Sequence, residues 1–487
     1  MKKFIFILVL SCFLPKVLAQ DTLLLRRITY SSELGTFLSS NGNTPFWVKS
    51  NQYGIAPRQS AASLQAGVVS GYREDRKKDW GFGASLVGNI GENKAFLIPE
   101  LYIKGKIGHW EAYIGRRKEV VGLVDSTLSS GSYIWSGNAL PMPKIQISIP
   151  NYMPIGFTKG LISIKGSLAH GWFENSRSDV KNFYLHQKTF YLRIGKPNWK
   201  MKFYGGFNHQ VQWGGELKYP DPDNYYSKNG KLPSSFKDFL SAVTGQSLAV
   251  ESDTTKFGFV DAGNRAGNHL GTVDLGFEIN TQRASILVYR QNIYEDGSLF
   301  YLINITDGLN GISITTKNQF SALINIKKIV FEFLNTYSQG GSTGAENTNS
   351  NLRGLDNYLN HGQYRDGWSY DQFGIGTPFV VASRDIRNLP SFPTNFFSNN
   401  RVQAFYLGLQ TSIYQRTSLN LRLSYSRNIG TYDAPYATSI GQFSGGIKMI
   451  TPLNILPNCE LSTAIGYDNN GIYQANFGGY VGIRKVW

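Results

Sequence analysis

Between residues 353 and 401 the chain gathers Tyr358, Tyr364, Trp368 and Tyr370 with Arg353, Arg365 and Arg401. Flat aromatic faces stack on the C–H surfaces of sugar rings, and planar guanidinium groups donate paired hydrogen bonds to hydroxyls and carboxylates. Tyr225 and Tyr226, in an earlier polar stretch, form a second platform of the same kind. Such a set suits the holding of a polyhydroxylated, acidic chain with no bond made or broken. Any one of these rings could instead pack its own loop or sit in an interfacial aromatic belt, so the expectation concerns the cluster. Signals for catalysis are poor: His209, His269 and His361 lack the spacing of metal ligands, and neither HExxH nor GxSxG occurs. Gly205-Gly206 and Gly445-Gly446 fall in strand-like stretches, where they relieve crowding and do not cradle phosphate. No cofactor and no metal are expected, and a serine and histidine esterase or deacylase is a minor alternative.

What must position these residues is a wall of strands. Leu419, Leu421, Leu423 and Tyr425 alternate with Asn420, Arg422, Ser424 and Ser426, and Ile145, Ile147 and Ile149 alternate with Lys144, Gln146 and Ser148. One face is apolar and the other polar. A soluble sandwich has the same period, but its strands run about 5–6 residues. Here many segments approach the ~9–11 residues of a tilted membrane strand. Eighteen such segments lie near 27–37, 62–73, 80–91, 95–107, 110–117, 143–149, 161–172, 185–195, 201–212, 269–280, 283–292, 310–318, 326–339, 402–415, 417–428, 439–451, 457–466 and 472–487. The expected fold is all-β, a transmembrane antiparallel β-barrel of eighteen strands with long extracellular loops, both chain ends lying on one side.

Connection lengths agree with that topology. Even-numbered connections such as Gly108-His109 and Thr281-Gln282 are short, whereas Lys118 to Met142, Trp213 to Asn268 and Gly340 to Arg401 are all odd-numbered. Short periplasmic turns and long outer loops are the rule in such barrels. Loops of roughly 50–60 residues are functional or disordered, and aromatic content argues against disorder. The last two could close the barrel mouth. Phe236, Phe239, Leu240 and Val243 stand at helical spacing behind Ser234 and Ser235, predicting a short amphipathic helix with the mouth as its seat. Lys104, Lys106, Lys144, Lys202, Arg193, Arg422 and Lys448 face inward with Glu278, Asp274, Glu332 and Glu460. That set either braces a filled lumen or lines an anion path.

The ends of the sequence fix the compartment. Lys2 and Lys3, the apolar run Phe4 to Ser11 and Val17-Leu18-Ala19 read as a signal peptide over residues 1–19, leaving 20–487 as a single outer-membrane barrel domain. Val9-Leu10-Ser11-Cys12 also resembles a lipoprotein signal, with Cys12 acylated. With the leader gone, Cys459 is the only cysteine, so no internal disulfide can form. No later apolar stretch is as long as a membrane helix, so membrane residence must come from strands. Phe477 to Trp487 ends on an aromatic residue, similar to the signal that outer-membrane barrels of Gram-negative bacteria present to the barrel-assembly machinery, although Lys485 departs from it. The formal charge of +16 falls by three with Lys2, Lys3 and Lys16. A basic protein attracts anions, here lipopolysaccharide phosphates and acidic polysaccharide; nucleic acid is excluded by the compartment.

Ten pieces in one order resemble the capsule-assembly Wzi family of outer-membrane barrels. They are Thr44-Pro45-Phe46-Trp47 with Asn51-Gln52-Tyr53-Gly54, Ser129-Ser130-Gly131-Ser132, Ser136-Gly137-Asn138-Ala139-Leu140-Pro141, Leu185-His186-Gln187-Lys188, His209-Gln210-Val211-Gln212-Trp213-Gly214-Gly215, Gly267-Asn268-His269-Leu270-Gly271, Asp307-Gly308-Leu309, Asp356-Asn357-Tyr358, Gly367-Trp368-Ser369-Tyr370 and Asn399-Asn400-Arg401. The resemblance implies an eighteen-stranded barrel that binds exported capsular or exopolysaccharide and helps organise it at the cell surface, without catalysis. Some members carry a helical element near the amino terminus, which is absent or reduced here. The competing expectation is a porin-like channel for anionic solutes or oligosaccharides, which would keep its mouth open.

Overall fold

The computed structural model describes residues 28–487 except 177–178, 221, 246–257, 259–266, 296–297, 318–322 and 344–353. The expected signal peptide 1–19 with Cys12, and Arg353, lie outside the described residues. Among the described residues one antiparallel sheet of eighteen strands closes on itself. Its strands are β1 (Ile28–Ser39), β2 (Ala61–Ser70), β3 (Lys78–Gly91), β4 (Ala95–Ile107), β5 (Trp110–Arg116), β6 (Pro143–Pro154), β7 (Ile162–Trp172), β8 (Tyr184–Ile194) and β9 (Met201–Trp213). They continue as β10 (Asn268–Asn280), β11 (Ala284–Glu295), β12 (Gly308–Thr316), β13 (Ile324–Asn335), β14 (Val402–Ile413), β15 (Thr417–Gly430), β16 (Pro435–Pro452), β17 (Cys459–Asp468) and β18 (Asn476–Val486). Each strand pairs with the next, and β18 returns to β1 with Ile483 opposite Leu34, so no edge is left unpaired.

The period of two sorts the side chains as a bilayer requires. On β14 and β15, Phe405 stands opposite Tyr425 and Leu407 opposite Leu423, facing outward, while Tyr406 and Ser424 form an inward pair. Phe405 and Tyr425 are exposed on the outer wall and Tyr406 is buried. Two strands differ from their expected bounds for local reasons. β6 runs five residues beyond 149, but its register breaks between Ile149 and Met153, where Pro150 has no N–H for the ladder. β16 begins at Pro435 because the hairpin with β15 continues above the lipid belt, where an apolar outer face is no longer needed.

The lumen is filled, chiefly by a segment other than the two expected to close it. The connection 117–142 crosses from β5 to the opposite wall and is latched there by carboxylates. Leu123 N–H donates to Asp274 at 2.8 Å. Lys328 pairs with Asp125 at 2.7 Å, and Ser129 Oγ and Ser130 N–H each reach Glu332 at 2.6 Å. The 40–60 connection also folds inward. Its one-turn helix α1 (Phe46–Lys49) inserts Trp47, whose Nε1 donates to Ser424 Oγ at 3.0 Å. The inward charges therefore brace, but mostly by gripping a loop; Lys202 with Glu278, at 3.4 Å, is a cross-strand pair of the expected kind. Beside α1 a polar cavity of about 300 Å³ remains, bordered by Glu33, Gln65, Arg422, Lys448 and Tyr480.

Where the crossing loop starts, Glu119 accepts from Lys144 at 2.7 Å and from Arg117 at 2.8 Å. Burial works against its charge, yet the two cations outweigh burial and hold the carboxyl at about 2, below the ordinary 4.5. Its stabilisation is therefore complete above about pH 4.5 and is lost as pH falls toward 2; one pKa unit is worth about 1.4 kcal/mol, so the loss is on the order of 3 kcal/mol. Unfolding of detergent-solubilised protein followed by heat-modifiable gel mobility between pH 7 and 2.5 measures it. Glu119→Gln should lower stability at pH 7 and flatten this part of the profile.

Candidate functional site

The expected aromatic platform lies inside the protein. Trp368, Tyr358, Tyr364 and Tyr370 are all buried, in one apolar cluster with Tyr133, Ile134 and Phe397. The three tyrosine hydroxyls are engaged as well. Tyr358 Oη donates to Asp307 at 3.0 Å, Tyr364 Oη donates to the Gly214 carbonyl at 3.1 Å, and Tyr370 Oη accepts from Arg116 at 2.9 Å. In this structure the four rings expected to form a platform present no stacking face to solvent. A long loop above a membrane has little other apolar material from which to build a core, and rings supply the most area per residue. They form the lid over the crossing loop, joined to it where Ser136 Oγ donates to the Gly376 carbonyl at 2.6 Å.

The remaining expected residues divide into two places. Tyr225 and Tyr226 meet edge to face at 4.8 Å, and the Arg365 guanidinium stands 5.8 Å from the Tyr226 ring. Gln363 Nε2 donates to the Tyr226 carbonyl at 2.8 Å, so the two longest loops are tied together here. Tyr225 is 47% exposed and Arg365 half-buried, which leaves an aromatic and cationic patch on the surface. Arg401 goes elsewhere: its guanidinium lies 3.7 Å from the Tyr432 ring centroid and Nε donates to the Tyr337 carbonyl at 3.1 Å.

A basic pocket at the mouth was not anticipated from sequence. A cavity of about 110 Å³ is bordered by Lys49, Arg384, Asp385, Arg387, Tyr473 and Asn476. Arg58 pairs with Asp385 at 2.7 Å and Lys49 lies 3.6 Å from the same carboxylate. Both Arg58 and Arg384 stand over the Phe373 ring, at 5.7 and 5.8 Å. Burial opposes the Asp385 charge, but Lys49, Arg58 and Arg384 keep its pKa below the usual carboxylate range. Burial, reinforced by Arg58, brings Arg384 down to about 10, still charged at neutral pH. Three cations thus act on Asp385, and Arg387 borders the same cavity with Asp468 as its other carboxylate, so the pocket is electropositive. In the sequence its only trace is Arg384-Asp385-Ile386-Arg387, more than 300 residues from Lys49 and Arg58.

His209 Nε2 and His269 Nδ1 face each other at 3.0 Å on the outer wall. Among the described residues no group of three or more His, Cys, Asp and Glu is placed to hold a metal ion.

Residues 28–407 match the family described as capsule assembly protein Wzi. The chain belongs to that family. A solved structure entitled Wzi, an outer membrane protein involved in group 1 capsule assembly in Escherichia coli and a carbohydrate-binding β-barrel, superposes with a TM-score of 0.58 at 14% identity. The match covers 94% of this chain and 84% of that one. Pseudomonas aeruginosa OpdQ gives a TM-score of 0.46 at 7% identity, covering 95% and 99%, and Acinetobacter baumannii OccAB2 gives 0.45 at 10%, covering 94% and 97%. No curated protein sequence matches. A closed barrel of eighteen strands with an apolar belt, in this Wzi-family chain, is an outer-membrane protein.

Proposed function

We propose that this Wzi-family barrel holds exported capsular or exopolysaccharide at its outer mouth and helps assemble or attach it at the cell surface, without a chemical step. The observation that carries this reading is the electropositive pocket of Lys49, Arg58, Arg384 and Arg387, set in a mouth whose loops are folded and whose lumen is crossed. Guanidinium pairs match the carboxylates of acidic sugars, and Tyr225, Tyr226 and Arg365 offer a second, stacking contact along the same chain. A channel for anionic solutes is less well supported, since 117–142 spans the path such solutes would take. In this reading lipopolysaccharide surrounds the belt, and the barrel-assembly machinery engages β18 during insertion.

Binding of capsular polysaccharide to purified protein, by glycan array and titration, tests the proposal. Arg384→Ala with Arg387→Ala removes charged hydrogen bonds worth about 1.5–3 kcal/mol each, so affinity should fall at least roughly tenfold while the barrel keeps its heat-modifiable mobility. Tyr225→Ala with Tyr226→Ala should weaken binding less. A deletion strain should shed capsule. Retained capsule, together with no glycan bound by folded protein, would favour the channel.

A further inference from the structure

The helix expected from the spacing of Phe236, Phe239, Leu240 and Val243 forms as α2 (Phe236–Thr244), with Ser235 and Asp238 closing a capping box. Its seat is the outside of the barrel, not the mouth. On β8, His186 shares a face with Phe190 and Ile194, which are exposed to the lipid side. On β9, Val211 and Trp213 likewise share the face of Phe203 and Phe207. His186, Val211 and Trp213 are nonetheless buried, because α2 covers them. The Phe239 ring lies 6.0 Å from His170, 5.9 Å from His186 and 5.3 Å from Trp213, while Ala242 packs with Val211 and Trp213.

The depth of this contact can be read from the strands. Lys188, on the outer face of β8, donates to the Val243 carbonyl at the last turn of α2. A lysine directed outward is unfavourable at the middle of a bilayer but tolerated at its boundary, where it also offsets the helix dipole. Phe190, two residues further along the strand, begins the exposed apolar belt. α2 therefore lies where the belt ends. The helix face turned from the wall carries Phe236, 76% exposed, and Leu240, 48% exposed, one turn apart.

We propose that α2 is an interfacial foot: it lies along the outer-leaflet boundary, with Phe236 and Leu240 inserted among the lipids at the junction of headgroup and acyl chain. The occupant is membrane lipid because the wall under the helix and the belt below it are the same lipid-bathed surface, and amphipathic helices placed at such a boundary bury their apolar face in it. The foot would fix how high the two longest loops stand above the membrane, since 214–267 also carries Tyr225 and Tyr226.

Depth-dependent quenching tests this directly. Phe236→Cys, Leu240→Cys and Asn229→Cys, each combined with Cys459→Ala, are labelled with an environment-sensitive fluorophore and reconstituted into phosphatidylcholine vesicles with or without lipid A. Positions 236 and 240 should be quenched several-fold more by a nitroxide near the lipid headgroup than by aqueous iodide, and 229 should show the reverse. Equal iodide quenching at all three positions would overturn the proposal, placing the helix in water. Protection from both quenchers with fluorophore self-quenching would overturn it in favour of a second copy of the chain. Lipid quenching only with lipid A would support it and narrow the lipid to a phosphorylated glycolipid.

Discussion

Trp368→Ala should loosen the lid by about 3–5 kcal/mol, the usual cost of emptying a buried aromatic site. The indole is fully enclosed, among the largest such side chains, and the backbone on either side of it is engaged. The backbone N–H of Trp368 donates to the Leu359 carbonyl at 2.8 Å, and its backbone carbonyl accepts from Ile375 N–H at 2.9 Å. Among the described residues the lid's regular pairing is confined to two short ladders, Ser369 and Tyr370 with Phe373 and Gly374, and Val381 and Ala382 with Phe397 to Asn399. Hydrogen exchange across 356–380 should therefore quicken greatly, and a protease should nick the lid while the barrel stays intact. Trp368→Phe is the informative control. Trp368 Nε1 is buried with no hydrogen-bond partner among the described residues. Phe keeps most of the ring and removes that donor, so its cost should be under about 1.5 kcal/mol. Loss of polysaccharide binding in Trp368→Ala accompanied by normal binding in Trp368→Phe would mark Trp368 as a support of the lid. Unchanged exchange in Trp368→Ala would show that the lid does not depend on this core.

The wall was legible in the sequence because two solvents write the same period on every strand. Leu419 to Tyr425 against Asn420 to Ser426 states both the element and the face that meets lipid, and eighteen such stretches are enough to number the connections. Misjudged ends followed local chemistry, as at Pro150. The loops were legible only in part. Aromatic density around Tyr358 to Tyr370 marked a folded segment, but whether a ring packs inward or faces a ligand depends on what lies beneath it, and Tyr133 and Ile134 are over 200 residues away. The basic pocket is assembled from three distant stretches, around Lys49, Arg384 and Tyr473, and was missed for the same reason. For α2 the capping residues gave the helix, whereas the signal for its seat is His170 and His186, imidazoles at outward positions where bare lipid would favour aliphatic side chains.

Deleting residues 121–139 should turn a silent barrel into one that carries sustained current in a planar bilayer. Length alone would have chosen a different plug, since the two longer connections are both at the mouth. The decisive feature is attachment. The segment 117–142 is tied to strands on the far wall through Asp274 and Glu332, and Tyr406 Oη donates to the Leu128 carbonyl at 2.6 Å. Glu332 also accepts from Tyr289 Oη at 2.5 Å. Each buried donor left without its carboxylate typically costs about 1–3 kcal/mol, and several act together here, so the crossing loop does not leave its seat by thermal fluctuation. Glu332→Ala should accordingly produce intermittent openings, and the deletion, which also takes Tyr133 and Ile134 from beneath the lid, continuous ones. Sustained current through the unaltered protein would contradict a filled lumen and restore the channel reading. Silence of the folded deletion variant would instead assign the seal to 40–60, where Phe46 stacks on Phe379 of the lid at 5.6 Å and Trp47 meets the same ring edge to face at 5.9 Å.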